Sequence, residues 1–306
     1  MTDKAKLNVP LDVPKGERER FLDNLTTMTG GKGRLMLFAG DQKVEHLNDD
    51  FHGQGIAEDD GDPEHLFRIA SRAKIGAFAT QFGLVSRYAM DYSHVPYVVK
   101  LNSKTNLVKT VQAEPLSQQW LAVDQVAALR DENDLRVLGV GYTVYLGSEH
   151  EALMLREAAQ IVHRAHRRGL PAILWMYPRG RAVGNEKDPH LVAGGAGVAS
   201  CLGADFAKVN YPGGPDAKDR FREAVRAAGR TGVICSGGKG MEVEAFLHRL
   251  HDQVHVSGAA GSATGRNIHQ KPLDEAVRFC NAVHAVVVED ASVAEAMNIY
   301  WGDLGA

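Results

Sequence analysis

Two lysines lie within short apolar runs that have the composition of buried strands. Lys208 is in FAKVNYP (206–212), and Lys100 is in YVVKLN (97–102). Burial disfavours the charged ammonium group and lowers the pKa of a lysine toward the range in which its neutral amine is a nucleophile. Such an amine can form a Schiff base with a ketone. The alternative for each lysine is a side chain that reaches solvent or pairs with a carboxylate, and these segments alone leave both alternatives open.

Two aromatic residues could act beside such an amine. Trp175 and Tyr177 are two residues apart in AILWMYP (172–178), so their side chains point to the same face of a strand. This strand comes directly before the one that contains Lys208, and a phenol beside a neutral lysine can shuttle protons. The alternative for both aromatic residues is ordinary barrel packing with a satisfied hydroxyl. Their position favours Lys208 over Lys100 as the nucleophile.

Polar residues crowd the end of the first apolar run, in AGDQKVEHLN (39–48). A carboxylate at Asp41 can hold a lysine or bind substrate hydroxyls, and His46 can meet a phosphate or a hydroxyl. Such crowding at the end of a strand is typical either of a site or of an exposed loop.

Two glycine-rich segments, ICSGGKG (234–240) and GAAGSATGRN (258–267), follow or contain the last two apolar runs. Bare backbone N–H groups in such segments can approach an anion closely. The alternative is that the glycines only make tight turns. The candidate phosphate-binding residues are Gly237, Gly238, Gly265 and Arg266.

The elements that must position these residues follow a repeated pattern. From residue 34 onward, short β-branched or apolar runs alternate with longer segments whose apolar residues recur with helical period. The runs are continuously apolar, which indicates burial on both faces, as in a parallel sheet. We predict strands at 34–40, 75–80, 97–102, 137–145, 172–178, 206–212, 232–238 and 253–261. Such units predict an α/β fold, a (β/α)8 TIM barrel, with a doubly wound sheet as the alternative.

This pattern divides the chain into three parts. Residues 1–33 form a short N-terminal arm, residues 34–290 form the barrel as the catalytic domain, and residues 291–306 form a C-terminal tail or helix. The acidic segment 48–65 is predicted to be a solvated loop, or alternatively a lid over the site. Barrel active sites lie at the carboxyl ends of the strands, where the polar residues above are found.

Composition argues against several classes of function. The chain has 306 residues, of which 44% are hydrophobic and 24% charged, with a formal net charge of -3. It therefore lacks the basic field that attracts nucleic acid, and no apolar run approaches the roughly 20 residues that span a bilayer. Three dispersed cysteines and a charged N-terminal segment predict a cytoplasmic protein. The expected partner is a small molecule, with no nucleic acid and no membrane.

The histidines do not form the pattern typical of a metal site. The pairs His163/His166 and His248/His251 fall on charged helical segments and are predicted to be solvated. The other histidines are scattered, so we expect no three-ligand zinc site, no other metal and no cofactor. The motifs GxxxxGK[ST] and GxSxG do not occur, which argues against an NTPase and a hydrolase.

Together these residues resemble the archaeal-type class I fructose-bisphosphate aldolases, a family related to the aminodideoxyheptulosonate synthases. The resemblance covers residues 34–290. The motifs that carry it are DQ-x-x-EH from Asp41, WxYPRG from Trp175, GADFAKVNYP around Lys208, SGG from Ser236 and TGRNIHQ from Thr264.

The resemblance implies a role for each of these residues. Lys208 would form the Schiff base, Tyr177 would transfer protons, Trp175 would pack beside the reacting carbons, and Asp41 would assist at the lysine. The sugar-phosphate substrate would be bound by Ser236, Gly237, Gly238, Gly265, Arg266 and His46, with Lys100 as a supporting charge. The resemblance also implies a homo-oligomer. Lys43 departs from the glycine that the family often has after DQ, and it could bind a second phosphate or point to solvent.

Three functions follow from this interpretation. The first is a class I aldolase that cleaves fructose 1,6-bisphosphate, or forms it from dihydroxyacetone phosphate and glyceraldehyde 3-phosphate. The second is a transaldolase-like synthase or another phospho-ketose aldolase that uses the same lysine. The third is a non-catalytic sugar-phosphate-binding barrel, which would keep the glycine-rich segments but lose the lysine–tyrosine pair. Because Lys208 and Tyr177 are both present, the sequence favours an enzyme.

Overall fold

Parallel strands in residues 8–108 and 113–302, the part of the chain that this computed structural model describes, close into a barrel. Each strand pairs with the next one along the chain, and the last pairs with the first. The predicted (β/α)8 fold is therefore confirmed, and the doubly wound alternative is excluded. The strands are β1 (Leu35–Ala39), β2 (Ala77–Gln81), β3 (Tyr97–Lys100), β4 (Val137–Leu146), β5 (Ala172–Pro178), β6 (Phe206–Val209), β7 (Gly232–Ser236) and β8 (Gly261–Thr264).

Helices surround the barrel and connect its strands. They are α1 (Arg18–Thr29), α2 (Gln42–Glu45), α3 (Glu64–Arg72), α4 (Phe82–Tyr88), α5 (Val123–Asn133), α6 (Glu151–His166), α7 (Pro189–Cys201), α8 (Ala217–Arg220), α9 (Arg222–Ala228), α10 (Val243–His251), α11 (Arg266–His269), α12 (Leu273–Val288) and α13 (Val293–Trp301). Short 3-10 helices occupy Lys15–Glu17, Leu47–Asp50 and Glu58–Gly61. Among the helices that the structure describes, none is long and apolar enough to cross a membrane.

Alternate residues of the strands fill the inside of the barrel. Ile173 of β5 is paired with Phe206 of β6, and Trp175 is paired with Lys208, so these side chains point inward together. The intervening residues point outward and pack against the surrounding helices. Helix α7 packs against β5 and β6, and it begins at Pro189, where the Asp188 carboxylate caps two backbone N–H groups.

The N-terminal arm closes one end of the barrel. Helix α1 buries Phe21, Leu25 and Met28 against the inward-facing side chains of β1. This helix ends at Gly30, which has the left-handed backbone conformation (φ 58°) common at such ends. The carboxyl ends of the strands lie at the opposite end, where a site can form. Residues 1–7 of the predicted arm and 303–306 of the predicted tail lie outside the described residues, and within that tail α13 occupies Val293–Trp301.

The predicted position of the last strand is wrong. Asp252–Val256 continues helix α10 as a π-helical turn, and β8 is the later segment Gly261–Thr264. Alternating valines made the earlier segment resemble a strand. The true strand consists of small residues because it lies very close to β1. A Cβ atom on Gly261 would be 2.0 Å from the carbonyl oxygen of Leu35.

The acidic segment 48–65 contacts helix α11, which begins at Arg266. Asp60 and His269 are both fully buried, with Asp60 Oδ2 2.7 Å from His269 Nδ1. The ring of Phe51 stacks on His269, with centroids 4.5 Å apart and planes 4° from parallel. The expectation of a wholly solvated loop therefore needs correction, since this segment anchors one side of the candidate site.

The prediction that His166 is solvated is also wrong. His166 in α6 is buried, and its Nδ1 lies 2.8 Å from Asp12 Oδ1 while its Nε2 lies 3.1 Å from Asp205 Oδ2. Burial alone would lower the pKa of His166, but hydrogen bonding and charge from Asp205 and Asp12 raise it. His166 thus joins the N-terminal arm to the barrel, whereas His163 on the same helix is largely exposed.

Candidate active site

A cavity of about 300 Å³ lies at the carboxyl ends of the strands. The predicted site residues that line it are Asp41, His46, Trp175, Tyr177, Lys208, Ser236, Gly237, Gly238, Gly265 and Arg266. A larger cleft of about 700 Å³ lies on the outside of the barrel, beside Arg222 and Arg226 of α9. The smaller cavity is the candidate active site, because buried ionisable groups from several strands converge there.

Lys208 lines this cavity, with only 4% of its surface exposed. Its Nζ is 4.0 Å from Asp41 Oδ1. Burial lowers the pKa of Lys208, and the charge of Arg266 adds to this shift. The carboxylates of Asp41 and Glu45 oppose it. Lys208 therefore loses its proton at a lower pH than a lysine in water does, and the neutral amine that results is the nucleophilic form.

Asp41 lies two residues after the end of β1 and directly precedes helix α2. Its backbone carbonyl accepts a hydrogen bond of 2.7 Å from Gln81 Nε2, which fixes the start of the loop. Its Oδ1 is buried and has no hydrogen-bond partner among the described residues. This oxygen can accept a hydrogen bond from the Lys208 ammonium or from a substrate hydroxyl.

Trp175 and Tyr177 form the wall contributed by β5. The Lys208 Nζ lies 4.9 Å from the centroid of the Trp175 ring. Tyr177 is partly buried, and burial raises its pKa well above the ordinary value, with the charges of Asp41 and Glu45 adding to the effect. The Tyr177 hydroxyl therefore keeps its proton at neutral pH and begins any reaction as a donor.

Lys100 does not line the cavity. Its side chain lies behind Trp175 with 3% of its surface exposed, and its Nζ donates to Asn102 and Thr143. Burial, with a smaller contribution from the charge of Lys208, lowers its pKa to about 8. Lys100 is thus enclosed by protein and is not among the residues that line the cavity, so the structure gives no support to its predicted part in substrate binding, which stays a prediction.

The last residue of β7, Ser236, and the following Gly237 and Gly238 line the cavity. Arg249 Nη2 donates to the carbonyl of Gly237 at 2.5 Å. Asn267 Nδ2 donates to the carbonyl of Lys239 at 3.2 Å, which links this segment to the one after β8. The two glycine-rich segments are thus held together as one wall.

The segment after β8 contributes Gly265 and Arg266. A Cβ atom on Gly265 would lie 2.3 Å from Gln42 Nε2 and 2.4 Å from the carbonyl oxygen of Ala39, so a side chain does not fit there. Arg266 Nη1 lies 3.3 Å from Asp50 Oδ2, and Arg266 Nε is buried without a partner in the described residues. An anion in the cavity could satisfy this guanidinium.

Sequence reasoning missed eight polar residues in the wall: Gln42, Glu45, Asn106, Arg179, Glu186, Lys187, Asn210 and Lys239. Arg179 Nε and Nη2 donate to the two carboxylate oxygens of Glu186 at 2.8 and 2.9 Å, and its Nη1 lies 3.7 Å from Glu45. Arg179 belongs to the WxYPRG motif, which was a usable signal, and Glu45 belongs to DQ-x-x-EH.

Lys43 has neither of the roles considered for it. Its Nζ donates to the backbone carbonyls of Asp60 and Gly61 at 3.2 and 3.0 Å. It also lies 4.2 Å from the centroid of the Phe51 ring. Lys43 therefore stabilises the segment 48–65 through these contacts, and it does not line the cavity.

Known proteins match the whole barrel. A family model described as DeoC/LacD family aldolase matches residues 35–271. The chain is 57% identical over 300 residues to a Methanocaldococcus jannaschii protein named fructose-bisphosphate aldolase/6-deoxy-5-ketofructose 1-phosphate synthase, with 98% of this chain and 96% of that protein covered.

Two of the solved structures that are similar to this one are aldolases. The first is a fructose-bisphosphate aldolase from Slackia heliotrinireducens, with 52% identity, a TM-score of 0.95, and 100% of this chain and 98% of that chain covered. The second is an archaeal fructose-1,6-bisphosphate aldolase whose catalytic lysine is covalently bound to the carbinolamine intermediate of the substrate. It has 33% identity and a TM-score of 0.75, with 88% of this chain and 99% of that chain covered.

Proposed function

We propose that this chain, which belongs to the DeoC/LacD family of aldolases, is a class I fructose-bisphosphate aldolase that binds its substrate as a Schiff base on Lys208. The reaction cleaves fructose 1,6-bisphosphate into dihydroxyacetone phosphate and glyceraldehyde 3-phosphate, and the reverse reaction forms it. The observation that carries the proposal is the buried amine of Lys208, which lines the cavity beside Trp175 and Asp41. The named activity of the similar aldolases supports the choice of substrate.

The proposed reaction starts when the Lys208 amine attacks the C2 carbonyl carbon of the ketose. The resulting carbinolamine loses water and becomes an iminium ion. Loss of the proton from the C4 hydroxyl then lets the C3–C4 bond break, so that the aldehyde leaves and the bond's electron pair moves toward the iminium nitrogen. The enamine takes a proton at C3, and hydrolysis releases dihydroxyacetone phosphate and the free amine. The iminium withdraws the electrons, a task that a metal ion performs in other aldolases.

Tyr177 is the group that we assign to proton transfer. Its raised pKa keeps the hydroxyl protonated, so Tyr177 can donate to the carbinolamine hydroxyl as water leaves. The phenolate that remains is stabilised by the iminium cation and can accept the proton of the C4 hydroxyl. Asp41, with its free Oδ1, is suited to hold the lysine amine or a substrate hydroxyl during these steps.

A substrate phosphate is assigned to the wall formed by the two glycine-rich segments. Backbone N–H groups at Gly237 and Gly238 and the guanidinium of Arg266 are the proposed donors. Asp50 now lies 3.3 Å from Arg266 and 3.5 Å from His46, so a bound phosphate would share or replace these contacts. This arrangement supports a phosphorylated substrate over an uncharged sugar.

A second candidate function has support from the name of the Methanocaldococcus jannaschii relative. A 6-deoxy-5-ketofructose 1-phosphate keeps the phosphorylated half of fructose 1,6-bisphosphate but has no 6-phosphate. Joining dihydroxyacetone phosphate to an unphosphorylated three-carbon 2-oxoaldehyde would form it, with the same lysine chemistry. Only the site for the aldehyde half would have to accept two different groups.

A direct assay distinguishes these functions. The purified chain is incubated with fructose 1,6-bisphosphate in EDTA, and dihydroxyacetone phosphate is measured. We expect the same turnover with and without EDTA, whereas a loss that zinc restores would contradict the Schiff-base mechanism. A parallel assay joins dihydroxyacetone phosphate to the 2-oxoaldehyde, and a panel of mono- and bisphosphate ketoses completes the comparison. A barrel that only binds sugar phosphates would turn over none of them.

The proposal also includes a cytoplasmic location and assembly into a homo-oligomer. Support for the location is the dispersion of the three cysteines, which are free in this structure. Support for assembly is the family resemblance, together with apolar side chains exposed at the end of α13, where Trp301 is 59% exposed. Light scattering on the purified chain would measure its mass in solution, and a monomer would contradict the homo-oligomer.

A further inference from the structure

The carbonyl group of Gly237, in the wall of the active-site cavity, accepts hydrogen bonds from two side chains. Arg249 Nη2 donates to it at 2.5 Å, and Asn267 Nδ2 donates to it at 3.4 Å. The Arg249 guanidinium also lies against the next residue, since a Cβ atom on Gly238 would be 3.7 Å from both Nη1 and Nη2. The proposed reaction uses the two glycines to bind phosphate but gives no task to Arg249.

The peptide group between Gly237 and Gly238 has its carbonyl and its N–H on opposite sides. This peptide bond is trans, so the two groups point in opposite directions within one plane. The N–H of Gly237 also donates to the carbonyl of Ala263 at 2.9 Å, whereas the N–H of Gly238 has no hydrogen-bond partner in the described part of the chain. Because Arg249 fixes the Gly237 carbonyl, the N–H of Gly238 must point away from the guanidinium.

Arg249 lies on the other side of this wall from the active-site cavity. It extends from α10, with its guanidinium carbon 5.3 Å from the centroid of the Phe246 ring, and it lines a neighbouring cleft but not the cavity. Burial lowers the pKa of Arg249, and the groups that oppose this shift are Cys235 and Tyr211, neither of which is a carboxylate. An arginine remains charged at neutral pH. A positive charge that no described carboxylate neutralises thus lies behind the two glycines.

We propose that Arg249 is a positioning residue for the substrate phosphate, because it holds the Gly237 carbonyl so that the N–H of Gly238 points into the active-site cavity. The inference rests on the proposed function, which assigns a phosphate to this wall. Two effects act in the same direction. The hydrogen bond from Arg249 polarises the peptide group and strengthens the Gly238 N–H as a donor. The positive charge of the guanidinium attracts the phosphate dianion.

The test compares two ketones that differ only in a phosphate group. Wild type and Arg249→Met are mixed with dihydroxyacetone phosphate or with dihydroxyacetone, and the Schiff base is trapped with borohydride. In the variant, the concentration that gives half-maximal trapping should rise about tenfold for dihydroxyacetone phosphate and stay the same for dihydroxyacetone. KM for fructose 1,6-bisphosphate should rise to a similar extent, with little change in kcat. Arg249→Lys should bind dihydroxyacetone phosphate better than Arg249→Met, because it keeps a charge and a donor.

Lys218→Met is the matched control. Lys218 lines the same cleft as Arg249, but its side chain is exposed on α8. The substitution therefore removes one positive charge from the cleft without removing a hydrogen bond to Gly237. Because solvent screens an exposed charge, this variant should bind both ketones as wild type does. An equal loss in Lys218→Met and Arg249→Met would show that any cation of the cleft has this effect and would contradict the role of the hydrogen bond.

Two other results would overturn the inference. An equal rise for both ketones in folded Arg249→Met would show that Arg249 has only a structural role. Unchanged binding of dihydroxyacetone phosphate would show that the Gly238 N–H needs no support from Arg249. If Arg249→Met does not fold, Arg249→Gln decides the question by the same comparison. Failure of the proposed function is a separate result, because then the wild-type chain itself would trap neither ketone and would not cleave fructose 1,6-bisphosphate.

Discussion

Lys208 and Trp175 are partners across the parallel β5–β6 pair, and this pairing places the amine beside the aromatic ring. Residues that are paired on neighbouring strands point to the same side of the sheet, and Tyr177 follows Trp175 by two residues. The three side chains must therefore share the inside of the barrel. A shift of one residue in this register would turn Lys208 toward the outer helices and remove it from the cavity.

Tyr177→Phe should slow turnover without preventing formation of the covalent adduct. The substitution removes the hydroxyl that transfers protons but keeps the ring, so kcat should fall by about 10²–10⁴-fold. Borohydride should still trap some adduct, and the variant should fold. Tyr211→Phe is a suitable control, because Tyr211 lies at the same end of the barrel but does not line the active-site cavity. Unchanged turnover in Tyr177→Phe would remove this residue from the mechanism.

Arg266→Ala should mainly weaken substrate binding. Loss of a charge-assisted contact to phosphate should raise KM about 10–100-fold and change kcat much less. Inorganic phosphate should compete with substrate in the wild type and compete less well in the variant. Arg222→Ala, an exposed arginine on α9, should behave as wild type. A KM that is the same in Arg266→Ala and wild type would exclude Arg266 from the phosphate site.

His166→Gln should make the chain less stable, most strongly at acidic pH. The folded pKa of His166 is raised above its usual value near 6.5, so its contribution is complete below the unfolded pKa and is lost as pH rises through the folded pKa. Urea denaturation should show a free energy of unfolding that is about 3 kcal/mol lower than in wild type at acidic pH, with a smaller difference at alkaline pH. His163→Gln, at an exposed position on the same helix, provides the control. A difference that does not vary with pH would contradict the ionic role of His166.

Most of the barrel could be predicted because its strands are continuous apolar runs. The exception is β8, where contact with β1 requires small residues such as Gly261, and small residues carry little strand signal. The burial of His166 could not be predicted from the sequence either. Its partner Asp12 is 154 residues away in the sequence, so the helical pattern around His166 indicated only an exposed face.

The place of Lys208 and Tyr177 in the cavity was predictable from residue type and strand position, while their catalytic roles stay predictions. Lys100 has the same local signal as Lys208, a lysine near the end of an inward-facing apolar run. The two lysines differ in the structure because the ring of Trp175, which lies over Gly141, covers Lys100. That difference depends on packing between strands and is not visible in either segment.

Mass spectrometry of the trapped enzyme tests the central claim most directly. The wild-type chain is incubated with fructose 1,6-bisphosphate, reduced with borohydride and digested, and Lys208→Ala is treated in parallel. We predict that the reduced dihydroxyacetone phosphate adduct is on the peptide that contains Lys208, and that Lys208→Ala gives neither adduct nor turnover. An adduct on Lys100, or turnover without any adduct, would contradict the assignment of Lys208 as the nucleophile.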